Sequence, residues 1–368
     1  MRRFCAIFLI GFSVVFPEGA DSEFQRFGLV PVAGYAEETG WQFGAMGMIF
    51  FHPIGPRDPG SQLDVMAMAT TRGQKRIVLD PTMAFWKGRL RAELELQRLI
   101  WPAYYWGGGN SPTDSSLRYD MDTWRAELDL QMNLSWLQFG PAWLRERVAP
   151  GVLLDLESNR TSFSEPDSLS LATHATDFPT KPDHQAGWRS GLGWSLQWDS
   201  RDHDNWPRSG MLVRAQQLFY AKVIGSSWNF SDLQGDFRLF LPTPLQGAWG
   251  MAAFWEGVQG TVPFDRLPAP DGTYHLRGLE KGRFRDRQQL VLQGEWRVPL
   301  FWRFSAAAFA EAGKVGPWFS RLMSNDLHTA FGAGGRFTLN QHRKLNVRGD
   351  LAWVDGGIGM SVYYREAF

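Results

Sequence analysis

General acid–base chemistry needs a carboxylate and an imidazole, or two carboxylates, within reach of one another. One stretch offers such a cluster: Asp199, Asp202, His203 and Asp204. It stands directly before Pro207-Arg208-Ser209-Gly210. Beside Pro and Gly, Asp and Asn usually serve turn geometry, because their short side chains hydrogen-bond the backbone two residues on. A turn is therefore expected there, and not a catalytic centre. His174 and His184 lie in a Ser/Thr/Pro/Asp-rich stretch without the spacing of a zinc or calcium site. Gly107-Gly108-Gly109 reads as a loop tip, since no helix follows to cradle a phosphate. No enzymatic activity, metal or cofactor is expected.

The remaining chemistry is charge on a wall, and composition says what kind of wall. The 368 residues carry 38 Lys+Arg against 38 Asp+Glu, so there is no basic excess for a nucleic-acid partner. At 44% hydrophobic and 14% aromatic, with 18 Trp and 27 Phe, the chain is too apolar to be disordered. After the first twenty residues no run approaches the roughly 18 uncharged apolar residues of a membrane helix. Those first residues read as an export signal: Met1-Arg2-Arg3 is a positive start, and Phe4 to Phe16 an apolar stretch of signal length. Cleavage is expected near Ala20, leaving residues 21–368 as one domain. The sole cysteine, Cys5, falls inside the signal, ahead of where a lipid anchor would need it.

Beyond the signal the dominant period is two, the period of a strand. From Trp124 to Trp136 the residues Trp124, Ala126, Leu128, Leu130, Met132, Leu134 and Trp136 share one face. Arg125, Glu127, Asp129, Gln131, Asn133 and Ser135 share the other. The same alternation recurs around Trp194, Leu292, Leu351 and Val362. A soluble antiparallel sandwich would also alternate. Strands of ten or more residues exceed its usual length, however. Charge recurring on one face, with aromatics at strand ends, suits an all-β transmembrane antiparallel up-and-down β-barrel with lipid outside and water inside.

About sixteen strands are expected, starting near Leu29, Trp41, Gln62, Arg76, Gly88, Tyr119, Leu137, Gln185, Arg208, Ser226, Gly247, Asp286, Trp302, His328, Arg343 and Gly356. The long connections, Trp106–Arg118, Asp155–His184, Thr261–Arg285 and Gly316–Leu327, all follow odd strands. The others are mostly short. That asymmetry is the one expected of an outer-membrane barrel with both chain ends in the periplasm.

One of these connections carries Tyr274-His275-Leu276-Arg277-Gly278-Leu279, then Gly282-Arg283-Phe284-Arg285-Asp286. This segment resembles the loop motif of the BamA/TamA-type outer-membrane assembly factors, the bacterial surface antigen family. Further similarities are Phe309-Ala310-Glu311-Ala312-Gly313, Gln293-Gly294-Glu295-Trp296, Trp198-Asp199-Ser200-Arg201-Asp202, the start at Leu29-Val30-Pro31-Val32-Ala33-Gly34-Tyr35, and the aromatic Phe368. The resemblance implies that the loop folds into the lumen and that Arg277 and Gly278 dock against Glu295, Phe309, Glu311 and Gly313. Leu279 stands where the family usually has an aromatic, and Glu311 where it has Asp. The stretch before Leu29 leaves no room for the periplasmic POTRA repeats of that family.

The first and last strands should meet at a weak seam. Pro31 lacks a ladder donor, and Gly34, Gly357 and Gly359, with Gly28 and Gly356, offer little side-chain packing, although barrel ends also collect Gly for turns. The resemblance implies a seam that opens to pass protein strands into the bilayer. The function it implies is assistance to insertion or translocation of proteins, or other substrates, at the outer membrane of a Gram-negative bacterium. The implied partners are outer-membrane lipid, client outer-membrane proteins and a separate periplasmic protein. A passive channel for small solutes is the alternative, and a barrel-borne enzyme a third.

Overall fold

The structure, a computed structural model, describes residues 27–36, 39–51, 61–112, 116–137, 140–163, 186–341 and 344–368. The expected signal at 1–20, with Cys5, and both His174 and His184 lie outside these residues. Sixteen strands form one antiparallel sheet in sequence order. They are β1 (Phe27–Ala36), β2 (Gly40–Phe51), β3 (Ser61–Thr70), β4 (Lys75–Phe85), β5 (Leu90–Tyr105), β6 (Leu117–Met132), β7 (Val148–Phe163) and β8 (Gly187–Asp199). There follow β9 (Gly210–Tyr220), β10 (Phe230–Pro242), β11 (Ala248–Gly260), β12 (Gln288–Phe301), β13 (Phe304–Gly316), β14 (His328–Asn340), β15 (Leu345–Val354) and β16 (Gly357–Tyr364).

Period two puts the apolar residues outside. Trp124, Val152, Leu154, Leu156, Leu192, Trp194 and Leu196 are exposed, whereas Asp129, Asp155, Glu157, Arg189 and Ser195 on the alternate face are buried. Among the largest fully buried side chains are five arginines: Arg189, Arg277, Arg297, Arg336 and Arg348. A guanidinium is buried only when carboxylates accompany it, and each of the five has at least one. The molecule is inverted, with charge inside and hydrocarbon outside.

Tight turns supply the twist that such hairpins need. In the connection from β4 to β5, Trp86 and Lys87 have φ of 51° and 59°; from β15 to β16, Asp355 and Gly356 have φ of 46° and 76°. Two successive residues with positive φ make the primed turn whose handedness matches paired strands, and Asp-Gly is a preferred sequence for it.

Three expected boundaries differ. The strand drawn from Trp124 to Trp136 ends at Met132, and the seventh strand begins at Val148 instead of Leu137. Asn133 accepts a hydrogen bond from the Ser135 N–H at 2.6 Å and caps a 3-10 turn over Leu134–Trp136. The Pro141 carbonyl then accepts from Leu144 and Arg145 and starts the short helix α1 (Ala142–Arg145). A capping Asn and a Pro thus override the alternation. At its other end β7 continues to Phe163, so Asp155 lies inside a strand and not in a loop.

Every strand pairs with its sequence neighbours, from Phe27↔Ile49 between β1 and β2 to Val354↔Gly357 between β15 and β16. At the seam, β1 and β16 approach within 8 Å between Cα atoms, yet among the described residues no ladder joins them. Pro31 sits mid-strand opposite Ala45, Gly34 opposite Gln42, and Gly359 opposite Ala352.

Candidate functional site

The connection between β11 and β12, residues 261–287, runs through the lumen and is held to two walls. At one wall Arg277 is wholly buried. Its Nε donates to Glu311 Oε1 and its Nη1 to Glu295 Oε2, each at 2.5 Å, while its backbone N–H donates to Glu311 Oε2 at 2.7 Å. The guanidinium lies 3.5 Å above the Phe309 ring. Period two explains the convergence. Glu295 pairs with Phe309 across β12 and β13, and Gln293 pairs with Glu311, so all four side chains share the inward face. A planar fork with several donors bridges two carboxylates, which a single ammonium cannot.

The arginine has a third carboxylate, Asp350 on β15, at 3.3 Å. Around it Arg297 pairs with Glu295, Arg336 with Glu295, Asp350 and Glu366, and Arg348 with Asp350. Four arginines thus meet four carboxylates, and charge balance makes their burial tolerable. Alternation puts Arg297, Arg348 and Asp350 inward, but local spacing does not reveal that β15 comes round to meet the loop.

Glycines make the space the loop occupies. A Cβ on Gly278 would lie 3.0 Å from Ala352 Cβ and 3.1 Å from Gly359 Cα, and one on Gly359 would strike the Gly278 carbonyl at 2.1 Å. Gly278 also has φ 84°. Gly359, expected as a seam residue, therefore belongs equally to the loop's seat. A Cβ on Gly313 would meet Leu276 Cδ1 at 2.8 Å.

Just before Arg277 the loop is shaped by Asp271, whose Oδ1 accepts the backbone N–H groups of Thr273, Tyr274 and His275 at 2.8, 2.7 and 2.9 Å. Burial pushes its carboxyl up, but His275 and these N–H donors outweigh burial and hold it well below the usual carboxylate range. The Thr273 carbonyl accepts from Arg348 at 2.6 Å, and the His275 ring stacks on Phe254 at 4.4 Å.

The second wall was not anticipated. Phe264 is wholly buried, edge-on to Tyr105 at 5.4 Å and to Tyr119 at 5.1 Å. Asp265 forms a two-pronged pair with Arg189 on β8, both contacts at 2.8 Å, and accepts from Asn159 at 3.0 Å. Arg266 pairs with Asp155 and Glu157 on β7. The available signal was Asp265-Arg266 inside a long loop, with opposite charges facing inward from β7 and β8. Which strands they would meet follows only from the course of the whole sheet.

The other candidate chemistry resolves into structure. Asp199 holds Arg201 at 2.7 Å, Asp202 accepts the N–H groups of Arg208 and Ser209, and His203 Nδ1 accepts that of Asn205. Gly109 is not a free tip: its N–H donates to the Arg285 carbonyl at 2.7 Å. Among the described residues no group of three His, Cys, Asp or Glu is placed to hold a metal ion.

Comparison with known proteins places this geometry. No curated protein sequence matches the chain. Among solved structures, the chain is similar to BamA from Haemophilus ducreyi lacking POTRA domains 1–3, with 12% identity over 92% of this chain and 69% of that one, TM-score 0.59. It is also similar to CdiB from Acinetobacter baumannii, 12% identical over 93% of this chain and 60% of the other, TM-score 0.59. For CdiB from Escherichia coli the values are 11%, 92%, 62% and 0.61. The chain thus spans between three fifths and about two thirds of the lengths of these structures, and such low identity speaks to the fold alone. The model of the Omp85 superfamily domain matches residues 79–343, most of the chain, including the whole loop and its partners on β7, β8, β12 and β13. The chain therefore belongs to the Omp85 superfamily, whose barrels reside in the bacterial outer membrane.

Proposed function

We propose that the barrel assists the insertion or translocation of proteins at the outer membrane of a Gram-negative bacterium, through a seam between β1 and β16 that opens sideways. The observation that carries this reading is that, among the described residues, no ladder joins β1 and β16 in a sheet whose other neighbouring strands are all laddered. Unpaired strand edges are templates for another strand, so an edge held by side chains alone is suited to accept a client strand. Pro31, Gly34, Gly357 and Gly359 keep that interface short of donors and packing. In this reading Arg277, with Gly278, Glu295, Phe309, Glu311 and Gly313, holds the loop in the lumen while the seam works. Membrane lipid and client proteins are the partners in this reading.

The lumen is crossed by the anchored loop, which disfavours an open pore for solutes. Stapling β1 to β16 with a pair of engineered cysteines tests the proposal. Oxidation should stop assembly of client barrels in cells, and reduction should restore it. Assembly at the normal rate with the staple fully formed, or a large steady conductance of the unmodified protein in planar bilayers, would overturn it.

A further inference from the structure

After Tyr364 the chain leaves the wall. Arg365 takes φ 66°, a left-handed conformation that a side chain rarely adopts, while its N–H still bonds the Asn346 carbonyl at 2.9 Å. The next three residues turn into the lumen and are all buried. The Glu366 carboxylate accepts from Arg336 Nε at 3.1 Å and from Asn346 Nδ2 at 2.9 Å. Ala367 packs with Phe240, Ala252 and Phe368 in one apolar cluster.

Phe368 enters a fitted cage. Its ring stacks on Phe240 with centroids 6.2 Å apart, and the Arg297 guanidinium lies 5.1 Å from its centroid. Arg297 also lies 5.5 Å from the Phe240 ring and 5.6 Å from Trp206, which the turn between β8 and β9 brings in. Gly250 leaves the room: a Cβ there would stand 2.8 Å from the Phe368 ring. Arg297 Nη2 donates to the Phe368 main-chain oxygen at 2.8 Å, and Nη1, wholly buried, has no hydrogen-bond partner. An unused donor on a buried guanidinium is costly to leave unmet; other buried arginines, Arg277 and Arg348 among them, also leave a nitrogen unbonded, so this donor shows spare capacity beside the Phe368 oxygen and the fitted cage itself carries the inference.

We propose that this cage is a peptide-binding site for segments of acidic–small–aromatic sequence, occupied in cis by Glu366-Ala367-Phe368 and open in trans when that segment withdraws. Arg336 and Asn346 read the acidic residue; the space over Gly250, with Phe240, Trp206 and Arg297, reads the aromatic ring and the main-chain oxygen after it. Withdrawal is feasible because β16, eight residues long, is laddered to β15 alone among the described residues. A tethered segment acts at an effective concentration of roughly millimolar. A free peptide at micromolar concentration therefore should not displace it. The inference concerns the lumen wall and stands whether or not the seam passes clients.

The test uses the full chain folded in detergent, with heat-modifiable migration on gels as the check on folding. In one variant Glu366, Ala367 and Phe368 are replaced by Gly, Ser and Gly. The probe is a fluorescein-labelled peptide, Tyr-Tyr-Arg-Glu-Ala-Phe, with a free or an amidated end, read by anisotropy. The replaced variant should bind it saturably, at least about tenfold more tightly than the native chain. Adding Gly250→Val to that variant should abolish binding without touching any charge, and a probe ending in Ala should bind at least about tenfold more weakly. No binding to the folded replaced variant, binding unchanged by Gly250→Val, or equal binding of the Ala probe would each overturn the proposal. The amidated probe decides whether the spare Nη1 donor takes a second oxygen: equal affinity of the two probes overturns that part.

Discussion

At the scale of single residues, Arg277 matters for its shape more than for its charge. Arg277→Lys keeps the charge but cannot reach Glu295 and Glu311 together, so we expect it to loosen the loop nearly as much as Arg277→Ala. Removing one partner of a buried pair typically costs about 3 to 5 kcal/mol. Proteolysis of the loop in the otherwise folded barrel is the measurement, and loop protection equal to native in both variants would exclude the lock. Exchanging the pair as Arg277→Glu with Glu311→Arg should restore part of the protection. Asp271 adds a pH dependence. Its carboxyl is held below the ordinary value of about 3.9, so the stability it contributes is present above that value and is lost as pH falls through the lower folded one. Loop protection should therefore persist at pH 5 and fall only in strong acid, where pepsin can read it. An Asp271→Asn variant should be more sensitive than native at pH 5. Glu295 and Glu311 were legible as inward residues from period two, and Arg277 from its loop motif. Asp350 was legible as inward too, but its place beside Arg277 was not, because nothing local to β15 says which loop it will face.

At the scale of elements, the 261–287 loop has two anchors, and each resists a different displacement. The Arg277 anchor ties its second half to β12, β13 and β15; the Phe264-Asp265-Arg266 anchor ties its first half to β7 and β8. We expect Asp265→Asn, which leaves Arg189 short of one carboxylate, to free the first half alone. Cysteines placed at Val262 and Thr273 should report this by alkylation, the first becoming reactive while the second stays protected. Equal reactivity at both would mean that the loop moves as one body. The strands themselves were legible because alternation is local and long. The turn of residues 133–147 was not: Leu134 and Trp136 continue the apolar phase of β6, and only the capping by Asn133 and the break at Pro141 end it. The nine-residue extension of β7 beyond Leu154 was hidden for the opposite reason, since Asn159, Arg160 and Ser162 read as loop composition although Asn159 and Thr161 are buried on the lumen face.

At the scale of the whole molecule, inversion decides what the surface tolerates. Leu130, a natural choice for the middle of the lipid belt, lies two residues from the end of β6; Leu154 on β7, opposite Leu128 and Leu192, is the deeper position. Leu154→Arg should cost about 2 to 4 kcal/mol of barrel stability in lipid, whereas Leu154→Ala should cost little. Urea titration in bilayers measures both, and equal costs would remove the lipid-facing assignment. The missing ladder between β1 and β16 is also a property of the whole. It was suspected from Pro31 and the glycines, but it depends on how sixteen strands meet after one turn of the barrel. One contact there changes what opening the seam entails. Arg365, just beyond β16, reaches past β1 and β2 to pair with Asp64 on β3 at 2.8 Å. This ionic stitch bridges the circumference, so under the lateral opening proposed above the β1–β2 hairpin would swing outward like a door leaf while β3 to β16 stayed joined as a hoop. Arg365 is partly exposed whereas Asp64 is buried, so unfastening the hoop strands a buried carboxylate and costs more than parting a surface ion pair.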